Sequence, residues 1–263
     1  MQEERGMDKP MGRYGHASPL PEVRHVGALQ AFEWLRLGWA DFTANPGPSL
    51  AHGLLLVALG WVILYLSSTH IDLVALAVSG FLLVGPVFGA AFYALSRLRA
   101  SGQPVTFDTS LDDAARNGKS LVYLGLLLAI VAIAWAWVSG LLFQRATGGD
   151  LPPIYDSAWQ SILDWDHAGF LVTYMATGAV FAVLAFALSA VSAPLIFDRG
   201  VDTRTAILTS LKAVAANPVA MAVWAVSIAV LTTIGFATLL VGLVIFLPLL
   251  GHATWHAYRD LVA

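Results

Sequence analysis

A chain of 263 residues that is 58% hydrophobic and only 12% charged carries about half the charge density of a soluble domain. Its net charge of −3 supplies no electrostatic basis for a nucleic-acid partner, and the absence of cysteine excludes disulfides, Cys-ligated zinc, iron–sulfur clusters and a thiol nucleophile. The apolar residues fall in long runs free of Asp, Glu, Lys and Arg, which predicts an all-α polytopic membrane protein seated in a lipid bilayer.

Residues 1–26 are polar and rich in Pro, Gly and charge, with no apolar core that would make a signal peptide. They are expected to form a disordered cytoplasmic tail, leaving 27–263 as a single six-span membrane domain. In ALQAFEWLRLGWADFTA, Ala28, Phe32, Leu35, Trp39 and Phe42 share one helical face, while Gln30, Glu33 and Arg36 point away. That pattern predicts a helix in the membrane interface, with Trp34 and Trp39 as aromatic anchors. After ANP at 44–46 come spans at about 49–67 and 72–95, the second carrying Gly85 and Gly89 at a spacing that suits helix packing. DTSLDDAARNGK follows, with Asp108 or Thr109 as N-cap and Asp112 and Asp113 in the first turn.

The third span runs over about 120–143 and ends in the long extracytoplasmic loop 144–167. Asp150, Asp156, Asp164 and Asp166 make this loop acidic, and Trp159 and Trp165 anchor it at the outer interface. It is either a docking surface or a solvated connector. The fourth span, about 168–196, carries the packing ladder Ala185, Ser189, Ala193. An amphipathic segment with Ile207, Leu211 and Val214 on one face leads to a second ANP at 216–218. Spans at about 218–232 and 235–257 complete the chain, divided by a turn at Thr232, Thr233 and Gly235.

Three amphipathic segments, each closed by ANP or ARNG and followed by a pair of spans, predict three related helical hairpins about a pseudo-threefold axis. Asn and Gly tolerate the left-handed conformation that ends a helix, and Pro opens the next one without a backbone donor. Pro86, Pro194 and Pro248 sit at comparable depth in the even spans. Basic residues lie before the first span, between spans two and three, between four and five, and after the sixth. Arg145 alone is on the other side, so both termini are predicted to be cytoplasmic.

No ionisable Asp, Glu, Lys or Arg falls deep in a span, and no phosphate loop, nucleophile elbow or His-Glu-x-x-His pair is present. The remaining chemistry is in LPLLGHATWHAYRDLV, where His252 and His256 stand four residues apart with Arg259 on the same face. Two histidines at that spacing reach one metal ion. His52, at similar depth in the first span, makes a three-histidine cluster or a bis-histidine haem between spans one and six the ligand hypothesis. The alternative is a helix end, with Trp255, Tyr258 and Arg259 as interface anchors and the histidines bonded to neighbouring helices.

WLRLGWADFTANPGPSLAHGLLL and LPLLGHATWHAYRDLV together resemble a family of bacterial predicted integral membrane proteins, domain of unknown function family 2189, some of whose members carry the label cytochrome c oxidase subunit I. The resemblance implies a bacterial inner membrane and a six-span fold over nearly the whole chain after residue 25, and implies no activity or site residues. Six spans, and no separate histidine set for two haems and copper, depart from the oxidase label. The functional expectation is a non-enzymatic accessory, assembly or scaffold protein of a larger membrane complex. Its alternatives are a small-molecule transporter or channel, and a haem- or metal-binding redox protein.

Overall fold

The computed structural model describes residues 20–67, 85–115, 118–147 and 168–263. The described residues are helical apart from connecting turns and one isolated antiparallel bridge, Val23 to Val262.

Helix α1 (Gln30–Ala44) buries Ala31, Trp34, Gly38, Asp41 and Phe42. Apart from Phe42 this is not the apolar face read from the sequence. It is a second stripe, at steps of three and four, that packs on the C-terminal helix, while Phe32 and Trp39 remain exposed. So α1 has two working faces, one for protein and one apolar and outward. Helix α2 (Pro46–Ser67) follows directly. The helical turn 85–88 leads into α3 (Ala90–Ala100), and α4 (Phe107–Ala115) comes next. The cap of α4 is Thr106, not Asp108 or Thr109. The Thr106 hydroxyl accepts from the Thr109 N–H (3.1 Å), and the Thr109 hydroxyl accepts from the Thr106 N–H (3.0 Å), so two orphan donors are satisfied reciprocally.

Helix α5 (Gly118–Thr147) has two apolar stripes. Leu121, Leu124, Leu128, Val131 and Trp135 are buried, while Val122, Leu126, Ile130, Ile133 and Trp137 are exposed. A soluble helix would be polar on the second stripe; one bathed in lipid is apolar all round. Helices α6 (Ala168–Ser189) and α7 (Ser192–Arg199) are separated by a break at Ala190–Val191. The chain then passes through α8 (Thr203–Ala216), α9 (Pro218–Ala237) and α10 (Leu243–Leu261). The turn before α10 falls after Ala237 and not at Thr232–Gly235. A threonine inside a helix can return its hydroxyl to the carbonyl four residues back, as Thr232 does to Ile228, so it does not end the helix. Leu239 and Leu240 adopt positive φ, 52° and 67°, a strained conformation for a side chain of that size.

Among the described residues, four helical segments are long and apolar enough to cross a bilayer: Pro46–Leu66, Gly118–Arg145, Gly169–Arg199 (α6 with α7) and Pro218–Ala237. Most of the expected span at 72–95 lies outside the described residues, as do Asp150, Asp156, Trp159, Trp165 and the rest of the 148–167 stretch. The α10 helix, carrying Pro248, His252, His256, Arg259 and Asp260, is not among the four.

The two ANP steps have the same geometry. Asn45 (φ −136°, ψ 62°) and Asn217 (φ −130°, ψ 52°) each donate their N–H to the carbonyls three and four residues back. Neither is left-handed. The following proline disfavours the helical region for the residue before it, and that restriction, rather than Asn tolerance, sets the turn.

The N-terminal boundary also moves. Residues 20–26, placed in the tail by composition, run along the C-terminus. The Arg24 N–H donates to the Leu261 carbonyl (2.8 Å) and the Ala263 N–H to the Glu22 carbonyl (3.0 Å). The Asn217 side chain grips the same strap through the Arg24 carbonyl and the Val26 N–H.

Candidate functional site

The α10 helix is the hub, and its packing depends on missing side chains. A Cβ on Gly38 would lie 2.7 Å from the Ala253 nitrogen, and one on Gly251 would lie 2.5 Å from the Phe92 Cβ. A Cβ on Gly53 would lie 2.4 Å from the Val244 carbonyl oxygen, which is the acceptor that Pro248 leaves unpaired four residues on. These glycines let α1, α3 and α2 close on α10. At Gly85 nothing described lies within 4 Å, and at Gly89 the neighbour is Tyr93 of its own helix. Ala185, Ser189 and Ala193 are buried.

Within this contact lies a buried polar chain. His252 (1% exposed) stands between two serines, Nε2 3.0 Å from Ser49 Oγ and Nδ1 2.8 Å from Ser96 Oγ. Ser96 Oγ donates to Asp41 Oδ2 (2.6 Å). The carboxylate only accepts, so the Ser96 proton is committed and Ser96 accepts from His252 Nδ1–H. His252 Nε2 is then the acceptor and Ser49 the donor. His256 Nε2 donates to the same Asp41 oxygen (2.9 Å), and Arg99 pairs with Oδ1. Burial alone would raise the Asp41 pKa, but the His256 and Ser96 hydrogen bonds, with the charge of the neighbouring histidines, hold it below the ordinary aspartate value.

His52 belongs to a neighbouring cluster. Its Nε2 lies 2.7 Å from Ser110 Oγ, which donates onward to the Phe107 carbonyl, so His52 Nε2 carries the proton. Its ring stacks on Phe107 at 4.3 Å, and Phe92 meets both His52 and His252 edge-on at 5.9 Å. The three histidines are therefore near one another, and each has at least one ring nitrogen engaged by protein. Among the described residues no group of three His, Cys, Asp or Glu side chains converges on a metal position.

A second network closes the same end of the molecule. Arg97 makes a two-bond pair with Asp113 (Nε to Oδ2, 3.0 Å) and lies over the Phe197 ring. Asp198 accepts from the Tyr258 hydroxyl (2.6 Å) and pairs with Arg259 (3.5 Å), and Arg199 donates to Tyr258. Of the expected anchors, Trp34, Trp255 and Tyr258 are buried in the protein. Trp34 meets Trp224 edge-on and donates to Asp260. A side chain enclosed by helices does not meet headgroups, so these three are core residues. Trp39 and Arg259 do present surface.

Sequence reasoning missed Asp41, Ser49, Ser96, Ser110 and Asp113. One signal for Asp41 was present: it continues the stripe Ala31, Trp34, Gly38 at helical spacing. The serines carry no such mark, because in apolar helices Ser reads as a small packing residue.

No curated protein and no solved structure matches the chain. Residues 73–198, just under half of the chain, match the model of a family described as predicted integral membrane protein (DUF2189); that segment is distinct from the two stretches that carry the resemblance, 34–56 and 247–262.

Proposed function

We propose that this is a multi-pass protein of a bacterial inner membrane that acts as a non-enzymatic scaffold or accessory subunit of a larger membrane complex. In this reading six spans form three hairpins, with both termini cytoplasmic. The observation that carries the reading is where the reactive side chains are spent. His252 has both ring nitrogens in hydrogen bonds to serines of other helices, His256 is bound to Asp41, and His52 to Ser110. These groups knit α1, α2, α3, α4 and α10 together; chemistry would require freeing them. The matching backbone of Asn45 and Asn217 supports a repeated hairpin unit.

Purification of the full chain in mild detergent from its native membrane tests this. A defined partner at fixed stoichiometry and a blank visible spectrum are expected. A protein that remains alone in native membranes would overturn the scaffold reading. A Soret band or stoichiometric metal, lost in His252→Ala and His256→Ala, would move the function to redox chemistry.

A further inference from the structure

The turn between α9 and α10 is built without a polar surface. Residues 238–242 read Thr-Leu-Leu-Val-Gly, and Leu239 and Val241 stand 71% and 65% exposed at its tip. The backbone nevertheless leaves no N–H bare there. The Leu239 N–H donates to the Phe236 carbonyl and the Leu240 N–H to the Gly235 carbonyl, the paired bonds that close a helix on a left-handed residue. The N–H groups of Val241, Leu243, Val244, Ile245 and Phe246 each donate to a carbonyl within the hairpin. The Gly242 N–H donates to the Thr238 hydroxyl, which itself donates to the Gly235 carbonyl. Glycine is the usual left-handed residue of such a closure; here it is Leu239, at φ 52°. In water glycine would hold the same turn without strain. A leucine covers the backbone with apolar surface, which suits hydrocarbon, where no water can pair a bare polar group.

Depth is set by α2. That helix runs antiparallel to α10: Ser49 meets His252, Gly53 faces Val244 and Pro248, and Gly60 faces Leu240. The turn is therefore level with Gly60, while α2 continues to Ser67, about 10 Å further at the helical rise. Tyr65 and Leu66, both exposed, mark the far end of α2, where a tyrosine suits the interface. At the other end α9 starts low. Trp224, in its second turn, meets Trp34, and Trp34 reaches Asp260 in the last turn of α10, so the first part of α9 runs beside α1 and not beside α2. The apolar part of α10, residues 243–251, is about 14 Å long, under half of the roughly 30 Å hydrocarbon core. His252 and the buried polar chain follow it directly.

We propose that the α9–α10 hairpin turns back inside the bilayer, with Leu239 and Val241 as a contact surface for the acyl chains of the outer leaflet. Such a hairpin presupposes the membrane reading above. It leaves both termini on one side and takes the last two of the six spans only part of the way across.

Spin labels on single cysteines test it, since the chain has no cysteine of its own. The full chain carries one label, at Leu239→Cys, Val241→Cys, Leu66→Cys or Arg145→Cys, and is reconstituted in phosphatidylcholine liposomes. Each position is read by its relaxation with oxygen, which concentrates in hydrocarbon, and with a water-soluble nickel chelate. The expected result is loss of chelate contact and strong oxygen contact at 239 and 241, deeper than at 66, with full chelate contact at 145. A depth at 241 no greater than at 66, or chelate contact equal to that at 145, would place the turn at the outer surface and overturn the proposal while leaving the membrane reading intact. Shielding from both reagents would mean that protein covers the tip, and would overturn it as well. A protein that does not float with the liposomes would overturn the membrane reading and the hairpin with it. Leu239→Cys and Val241→Cys probe the same tip, so if one fails to fold the other decides.

Discussion

Asp41 collects more of the structure than any other single side chain near the histidines. It takes bonds from Ser96 of α3 and His256 of α10, and an ion pair from Arg99, while sitting 5% exposed on α1. Asp41→Asn removes the charge and half the accepting capacity but preserves shape. It should destabilise the protein by about 2–3 kcal/mol, read as a lower unfolding midpoint in detergent. The pH dependence follows from the sign of the shift. The folded carboxyl binds its proton less tightly than the unfolded one. Its contribution is therefore complete above the unfolded value near pH 4 and is lost as pH falls through the folded value. Stability should drop with acid in that window, and Asp41→Asn should flatten that drop.

At the scale of elements, the break between α6 and α7 shows how a membrane helix is bent without leaving polar backbone bare. In a continuous helix the Val191 N–H would donate to the Ala187 carbonyl. Instead the Ser210 hydroxyl of α8 is inserted: Val191 N–H donates to Ser210 Oγ (3.2 Å), and Ser210 donates to the Ala187 carbonyl (2.8 Å). Ser210 is fully buried, so water does not replace it. Ser210→Ala leaves two buried backbone groups without partners and should cost about 1–3 kcal/mol. Amide exchange should quicken at Val191 and its neighbours. Unchanged stability would show that the helix re-closes its own bond. The break lies beside Pro194, which the sequence displays, but its partner is a serine that nothing in the local pattern distinguishes from Ser189.

For the whole molecule, the absence of cysteine makes sidedness measurable. Single-cysteine variants Ala263→Cys and Arg145→Cys, both at exposed positions, should label on opposite faces. Arg145→Cys is expected to react from outside intact cells, and Ala263→Cys only after permeabilisation. The reverse pattern would overturn the cytoplasmic placement of the C-terminus; labelling of both from one side would overturn the three spans placed between them, and with them the six-span count. The strap of residues 20–26 on the C-terminus already places those two chain segments side by side.

The helical class, the apolar runs that become α2, α5, α6 and α9, and the Asn-Pro joints were legible in the sequence because each is set locally. Lipid asks only for apolar residues in unbroken length, and proline restricts its predecessor wherever it occurs. The histidines were legible as unusual residues; their partners were not. Ser49, Ser96 and Asp41 meet His252 and His256 across as many as 215 residues of chain, and no periodicity encodes such a meeting. Which face of α1 is buried was also left to packing, since the stripe Ala31–Trp34–Gly38–Asp41 and the stripe Phe32–Trp39 are both apolar enough. Gly38 against Ala253 resolves the choice: only that face lets the two backbones approach, and the approach is what brings a carboxylate within reach of a buried histidine pair.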